Sequence, residues 1–218
     1  MTDQPAPLRI DIVSDVVCPW CIIGYRQLAL ALKATGTVAE VHWHPFELNP
    51  NMPAEGQNLR EHIAEKYGAS AEQSEQTRAQ MTELGKGLDI TFSYGPDSRI
   101  RNTFGAHQLI HWAETLDREH DMKMALFSAY FTEGRDVADP TVLAEIAGSI
   151  GLDRDAATEV LEDGRYAADV RQAEHTWTSR GIQGVPAMVF DSEHLVTGAQ
   201  GEDNYKMILQ KLAEMRVA

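Results

Sequence analysis

The sequence predicts an α/β chain in which a small mixed sheet of four strands is interrupted by an all-helical insertion. Three observations carry that expectation. Strand-like patterning is confined to residues 8–44 and to the stretch after residue 184. The long interval between them reads as helices, with caps and stops at helical spacing. The two cysteines of the chain, Cys18 and Cys21, fall where the first strand gives way to the first helix.

The first strand is LRIDIV, residues 8–13, apolar with Arg and Asp alternating in, as a half-buried strand requires. CPWC follows at once. In IIGYRQLALALKATG, Leu28 and Leu32 repeat at a spacing of four, and Gly36 is placed as a helix stop. VAEVHWH, residues 38–44, is the second strand, and a helical crossover of this length makes the two strands parallel. Pro and Asn cluster at 45–56, which marks a boundary loop. From Pro45 to about Gly164 helices alone are expected. Ser70 with Gln73 has capping-box spacing before a run that stops near Gly87, and Asn102 is placed to cap a helix carrying Phe104, His107, Leu109, Ile110 and Trp112. Asp121 would cap MKMALFSAYF, ending at Gly134. Asp139-Pro140 is a strong start matched by Gly151, and Asp153 opens a further short helix. YAADVRQAEHTWTSRG is then a long helix ending at Gly181. GVPAMVF and HLVTG form a hairpin across Asp191-Ser192-Glu193, and GEDNYKMILQKLAEM closes the chain as a helix. The order β-α-β, helical block, α-β-β-α is that of a thioredoxin fold with a helical insertion. Residues 1–46 and 165–218 supply the thioredoxin-like part and residues 47–164 the inserted helical domain.

Composition narrows the function classes. The 218 residues are 43% hydrophobic, enough for a substantial core without disulfide staples. A net charge of −14 repels phosphate backbones and anionic lipid, which argues against nucleic acid and membrane as partners. Asp11 and Asp15 interrupt the apolar residues near the start, so no secretory signal is read there, and no stretch approaches the ~18 apolar residues of a membrane span. A cytoplasmic location is expected, where a Cys-X-X-Cys pair is more often reduced or catalytic than structural.

CPWC has three readings. In the first it is a redox pair. The first cysteine of a helix start sits where backbone N–H groups and the dipole favour an anion, and the thiolate is the attacking species in disulfide exchange. Cys18 would attack and Cys21, about one turn in, would resolve the mixed disulfide, with Pro19 suited to the first helical turn. In the second, the pair is half of a metal site. Parallel strands bring HWHP to the same rim as CPWC, so His42 and His44, two apart on one face, would complete a Cys2His2 set. In the third, both cysteines are small buried hydrophobes.

Taken together, SDVVCPWCIIG at 14–24, HPFELNP at 44–50, AYFTEGRDVADP at 129–140 and GVPAMVF at 184–190 resemble the DsbA-like thiol–disulfide oxidoreductases, in particular their FrnE-like cytoplasmic branch. The similarity spans nearly the whole chain. It implies an enzyme whose redox centre is Cys18 and Cys21. It also implies that Pro186 is cis and that its loop faces the cysteines, with the Val185 backbone free to pair with an extended peptide. Without the resemblance, Pro186 reads as an ordinary strand-entry proline.

Several neighbours are candidates for tuning or binding. Pro19 and Trp20 carry no positive charge, and the Cys18 pKa is expected below the free value of ~8.5 but above ~3.5. Asp15 would oppose the thiolate if it points inward, or is a solvated carboxylate. Trp20 either packs against a bound peptide or small thiol at the rim, or caps Cys21. His42 and His44 would supply positive charge near the sulfur or are satisfied strand-end residues, and His107 would face the cleft. Met122, Met124 and Met188 read as core.

The leading expectation is therefore a protein disulfide oxidoreductase or isomerase acting on thiol- or disulfide-bearing proteins or small thiols. It needs no cofactor beyond its own disulfide, with glutathione a potential co-substrate. Alternatives are a glutathione-dependent isomerase or transferase of the kappa or 2-hydroxychromene-2-carboxylate isomerase type, whose site usually has serine where Cys18 stands, and a metal protein using Cys18, Cys21, His42 and His44.

Overall fold

The computed structural model describes residues 6–217. The elements run β1 (Leu8–Ser14), α1 (Pro19–Thr35), β2 (Ala39–Pro45), β3 (Gln57–Asn58), α2 (Leu59–Tyr67), α3 (Ala71–Lys86), β4 (Arg99–Ile100), α4 (Phe104–Glu114) and α5 (Glu119–Phe127). They continue with α6 (Pro140–Ser149), α7 (Arg154–Asp163), α8 (Ala167–Ser179), β5 (Ala187–Phe190), β6 (His194–Thr197) and α9 (Glu202–Val217). The main sheet has the order β2-β1-β5-β6, with β1 and β2 parallel and the other pairs antiparallel. This is the expected mixed four-stranded sheet with a helical block between β2 and β5.

Alternation along β1 sorts the two sides of the sheet. Leu8, Ile10 and Ile12 join Trp43, Met188 and Phe190 in the main core, against α1 and α9. Val13 points the other way, into a smaller cluster with Trp177, Ile182, Ala187 and Val189 under α8. Gly24 lets α1 lie close to the chain after β6, since a Cβ there would come within 3.4 Å of the Ala199 Cα and the Met188 Cε. The main core is continuous from Ile10 through Trp43 and Phe127 to Leu143 and Ile146, so the helical block and the sheet share one apolar interior. Met122 and Met188 are fully buried and Met124 packs against the same cluster.

Local signals were reliable where they were strong. Ser70 and Gln73 form a complete capping box, Asp139 caps α6 with Pro140 in its first turn, and Asp153 caps α7. Three readings need correction. The block between β2 and α8 is not helical throughout, because β3 and β4 pair as a two-residue antiparallel ladder at the mouth of α2. Thr103, not Asn102, is the N-cap of α4, although the Asn102 Oδ1 accepts the Phe104 N–H at 3.0 Å. Asp121 lies inside the first turn of α5 and pairs with Arg118, and the helix ends in a wider π-type turn over Ser128–Thr132. No helix of the described residues is long and apolar enough to cross a membrane.

Candidate active site

Cys18 is the N-cap residue of α1 and Pro19 opens the helix, where a missing N–H costs nothing. Both cysteines are free thiols; Cys18 is 4% exposed and Cys21 is fully buried. The Cys21 N–H bonds the Cys18 carbonyl at 3.0 Å, which puts the second thiol inside the first turn. The Val185–Pro186 peptide is cis, and the Val185 carbonyl accepts the Cys18 Sγ–H at 3.7 Å. Among the described residues the Val185 N–H donates to no backbone carbonyl. Chain segments far apart in sequence thus meet at the sulfur.

Cys18, Pro19, Trp20 and Val185 line one wall of a cavity of about 390 Å³. Its other walls come from the helical block and are mostly apolar, with Ile63, Tyr67, Met81, Tyr94 and Phe131 among them. Trp20 is 38% exposed, at the rim rather than as a cap on Cys21.

Beneath the pair lies a set of buried charges. Asp15 is fully buried, which corrects the reading of it as a solvated carboxylate. Its Oδ2 accepts the Leu48 N–H at 2.7 Å, and the His107 Nε2 stands 3.5 Å from its Oδ1 and 3.2 Å from the Phe46 carbonyl. Burial alone would raise this carboxyl, but His107, the Leu48 N–H and Lys123 together hold it below the usual range. His107 therefore lies behind the cysteines and not in the cleft. Lys123, on α5, is 1% exposed and donates to the Ser14 carbonyl at 3.4 Å, between the rings of Trp43 and Phe127. Burial lowers its ammonium to about 8, against the pull of Cys21, Asp15 and Glu119. Burial also pushes the Cys21 thiol well up, the adjacent Cys18 adds to the rise, and the Lys123 charge opposes it. Glu119 accepts the Trp43 N–H at 2.8 Å, and burial raises its carboxyl to about 7. A lysine between two methionines in MKMALF was the one available sign that Lys123 faces inward.

His42 and His44 do not join the cysteines. They share a face, as expected, but it is the α8 side of the sheet, while α1 packs on the opposite side with Trp43. His44 bonds Asp11 at 2.7 Å and its ring lies 4.6 Å from Trp177. Among the described residues no three His, Cys, Asp or Glu side chains converge as metal ligands.

A mixed sheet with an inserted helical block, a Cys-Pro-Trp-Cys helix start and a facing cis-proline together define a thioredoxin-fold redox protein. Residues 9–210 match the DSBA-like thioredoxin domain, and the chain belongs to that family of thiol–disulfide oxidoreductases. It is 28% identical over 201 residues to the uncharacterized protein YwbO of Bacillus subtilis, covering 91% of this chain and 94% of that one. The crystal structure of a probable DsbA oxidoreductase, SCO1869 from Streptomyces coelicolor, superposes with a TM-score of 0.87 at 30% identity, covering 94% of this chain and 89% of that one. A putative protein disulfide isomerase from Nitrosomonas europaea has the same fold, with a TM-score of 0.71 at 16% identity over 96% of this chain and 98% of the other.

Proposed function

We propose that this chain exchanges thiols and disulfides through Cys18 and Cys21. Cys18 attacks a substrate disulfide, releasing one thiol and forming a mixed disulfide. Cys21 then attacks the Cys18 sulfur, the second thiol leaves, and the protein pair is left oxidised. Cys18 stands at a helix N-terminus, where unpaired N–H groups and the dipole favour negative charge. Cys21 is kept a thiol by burial until a mixed disulfide forms beside it. Val185 and Pro186 border the sulfur, and the free Val185 N–H can pair with a substrate backbone. Pro19 and Trp20 complete the substrate-facing edge.

The observation that carries this reading is the Cys18 sulfur, open to the cavity on one side and against the cis-proline loop on the other. No bound cofactor is needed, and glutathione or another small thiol enters only as co-substrate. Direction follows from potential: a pair poised well above a cytosolic glutathione pool rests reduced and suits isomerisation or oxidation driven by a dedicated oxidant, whereas one near about −270 mV suits general reduction. The test is equilibration of the pair in glutathione buffers, with Cys18→Ser as control. A reversible two-electron transition that vanishes in the variant supports the reading. No transition in the wild type sinks it. A glutathione-dependent isomerisation that survives Cys18→Ser would replace it with the isomerase alternative.

A further inference from the structure

The cavity beside Cys18 is built for more than access. At about 390 Å³ it falls in the range of small-molecule pockets, which pair an apolar lining with a few placed polar groups. The apolar lining comes chiefly from α2, α3 and the segment before β4, through Ile63, Tyr67, Met81 and Tyr94. The polar groups are mostly satisfied within the protein. Tyr130 donates to the Arg99 carbonyl at 3.0 Å, Thr77 to the Gln73 carbonyl at 2.9 Å, and the His62 Nδ1 meets the Gln57 Oε1 at 2.8 Å. Arg78 is different. It lines the same cavity, is only partly exposed, and pairs with no carboxylate or other acceptor among the described residues. Most other arginines of this acidic chain do have a carboxylate or carbonyl partner, Arg9, Arg135, Arg171 and Arg216 among them. The Arg78 charge also acts on the Tyr94 hydroxyl, which meets Met81 of the same helix at 4.0 Å.

We propose that the cavity selects a small disulfide whose halves each have an apolar, preferably aromatic, body and one carboxylate, one carboxylate pairing with Arg78 while the disulfide meets Cys18. This rests on the exchange chemistry proposed above and names its substrate class. Glutathione disulfide fits poorly. Each half has a polar peptide body, two carboxylates and an ammonium, and the cavity offers apolar walls and one guanidinium. In the reduction direction the reaction balances as protein dithiol plus disulfide giving protein disulfide plus two small thiols. A dithiol or thiol reductant regenerates the pair between turnovers.

The test is a single turnover of the fully reduced, full-length protein with three disulfides: 4,4′-dithiodibenzoate, its neutral diamide, and glutathione disulfide. Each rate is divided by that disulfide's rate with free dithiothreitol, which removes intrinsic reactivity. The expected order is dithiodibenzoate first, ahead of the diamide by about tenfold, the size of one charge-assisted hydrogen bond, and the diamide ahead of glutathione disulfide. Arg78→Gln should collapse the acid-to-amide ratio to about one. Thr77→Trp, which narrows the cavity from an exposed position, should collapse the aromatic preference over glutathione disulfide; circular dichroism verifies both folds. Equal normalised rates for all three disulfides, or a lead for glutathione disulfide, overturn the inference and leave the exchange chemistry standing. An unchanged acid-to-amide ratio in Arg78→Gln overturns the role of Arg78. No reaction with any disulfide overturns the exchange reading and this one with it.

Discussion

The Cys18 thiol and the Val185 carbonyl meet at 3.7 Å although 167 positions separate them in the chain. One lies at the start of α1, the other in the cis-peptide turn before β5, and the antiparallel pairing of β1 with β5 brings them together. The two thiols therefore differ in access: Cys18 faces a cavity and Cys21 does not.

That asymmetry predicts distinct trapping behaviour. Cys21→Ser should accumulate a stable mixed disulfide at Cys18, seen as a mass increase of one substrate half. Cys18→Ser should form none under the same conditions. Equal trapping at either position would remove the distinction between attacking and resolving thiols, and trapping in Cys18→Ser alone would reverse it.

Asp15 predicts a large folding effect from a single atom exchange. Asp15→Asn keeps an oxygen for the Leu48 N–H but removes the charge facing His107 and Lys123. Breaking a buried ionic set costs about 3 kcal/mol, readable by urea denaturation near neutral pH. The sign with pH is fixed. The folded Asp15 carboxyl is held below its unfolded value of 3.8, so its contribution is present above that pH and is lost as pH falls through the lower folded value. The gap between wild type and variant should thus close in acid.

Glu119 carries the opposite sign. Its folded carboxyl is raised from 4.5 to about 7, so between those values the unfolded chain has already lost a proton that the folded protein keeps. Stability from this group is full below 4.5 and declines as pH rises towards 7. Glu119→Gln, which still offers an oxygen to the Trp43 N–H, should gain on wild type between pH 5 and pH 8. The gain is on the order of 1 kcal/mol once solvent screening of a partly exposed side chain is allowed for. Paired denaturation curves at the two pH values test this, and a gap independent of pH would refute it.

Gly85 predicts a coupling between α3 and the cavity. A Cβ there would lie 2.6 Å from the Ile90 carbonyl and 3.0 Å from the Phe92 ring. Gly85→Ala must push the end of α3 away from the segment leading to Tyr94, at a cost of about 1–3 kcal/mol. Met81 and Arg78 sit one and two turns back on the same helix, so thermal stability and aromatic-disulfide selectivity should fall together.

Legibility in the sequence followed the range of the interaction. The capping box at Ser70, the Asp139-Pro140 start and the β1-α1-β2 unit are set by residues a few positions apart, and they were readable. Helix α2 was missed although its signal was present. Asn58 accepts the Arg60 and Glu61 N–H groups as N-cap, and Leu59, Ile63 and Tyr67 recur at a spacing of four. No helix start is assigned between the Pro- and Asn-rich loop at 45–56 and the capping box at Ser70. The burial of Asp15 was not readable, because its partners come from Leu48, His107 and Lys123 on three other segments. His42 and His44 were correctly given one face, but which face meets α1 depends on packing that spacing alone does not encode. The cavity was beyond reach for the same reason, since Arg78 and Tyr94 meet Cys18 only after the helical block has docked.

The separation of Cys18 from Val185 also sets an order of events at the ribosome. The dithiol leaves the ribosome 167 positions ahead of the turn that shelters it. Over that interval the nascent chain carries two thiols without their guard loop, exposed to whatever oxidants or metals surround it. Premature termination between Cys21 and Val185 would release a fragment with the reactive pair intact and the surface that disciplines it missing.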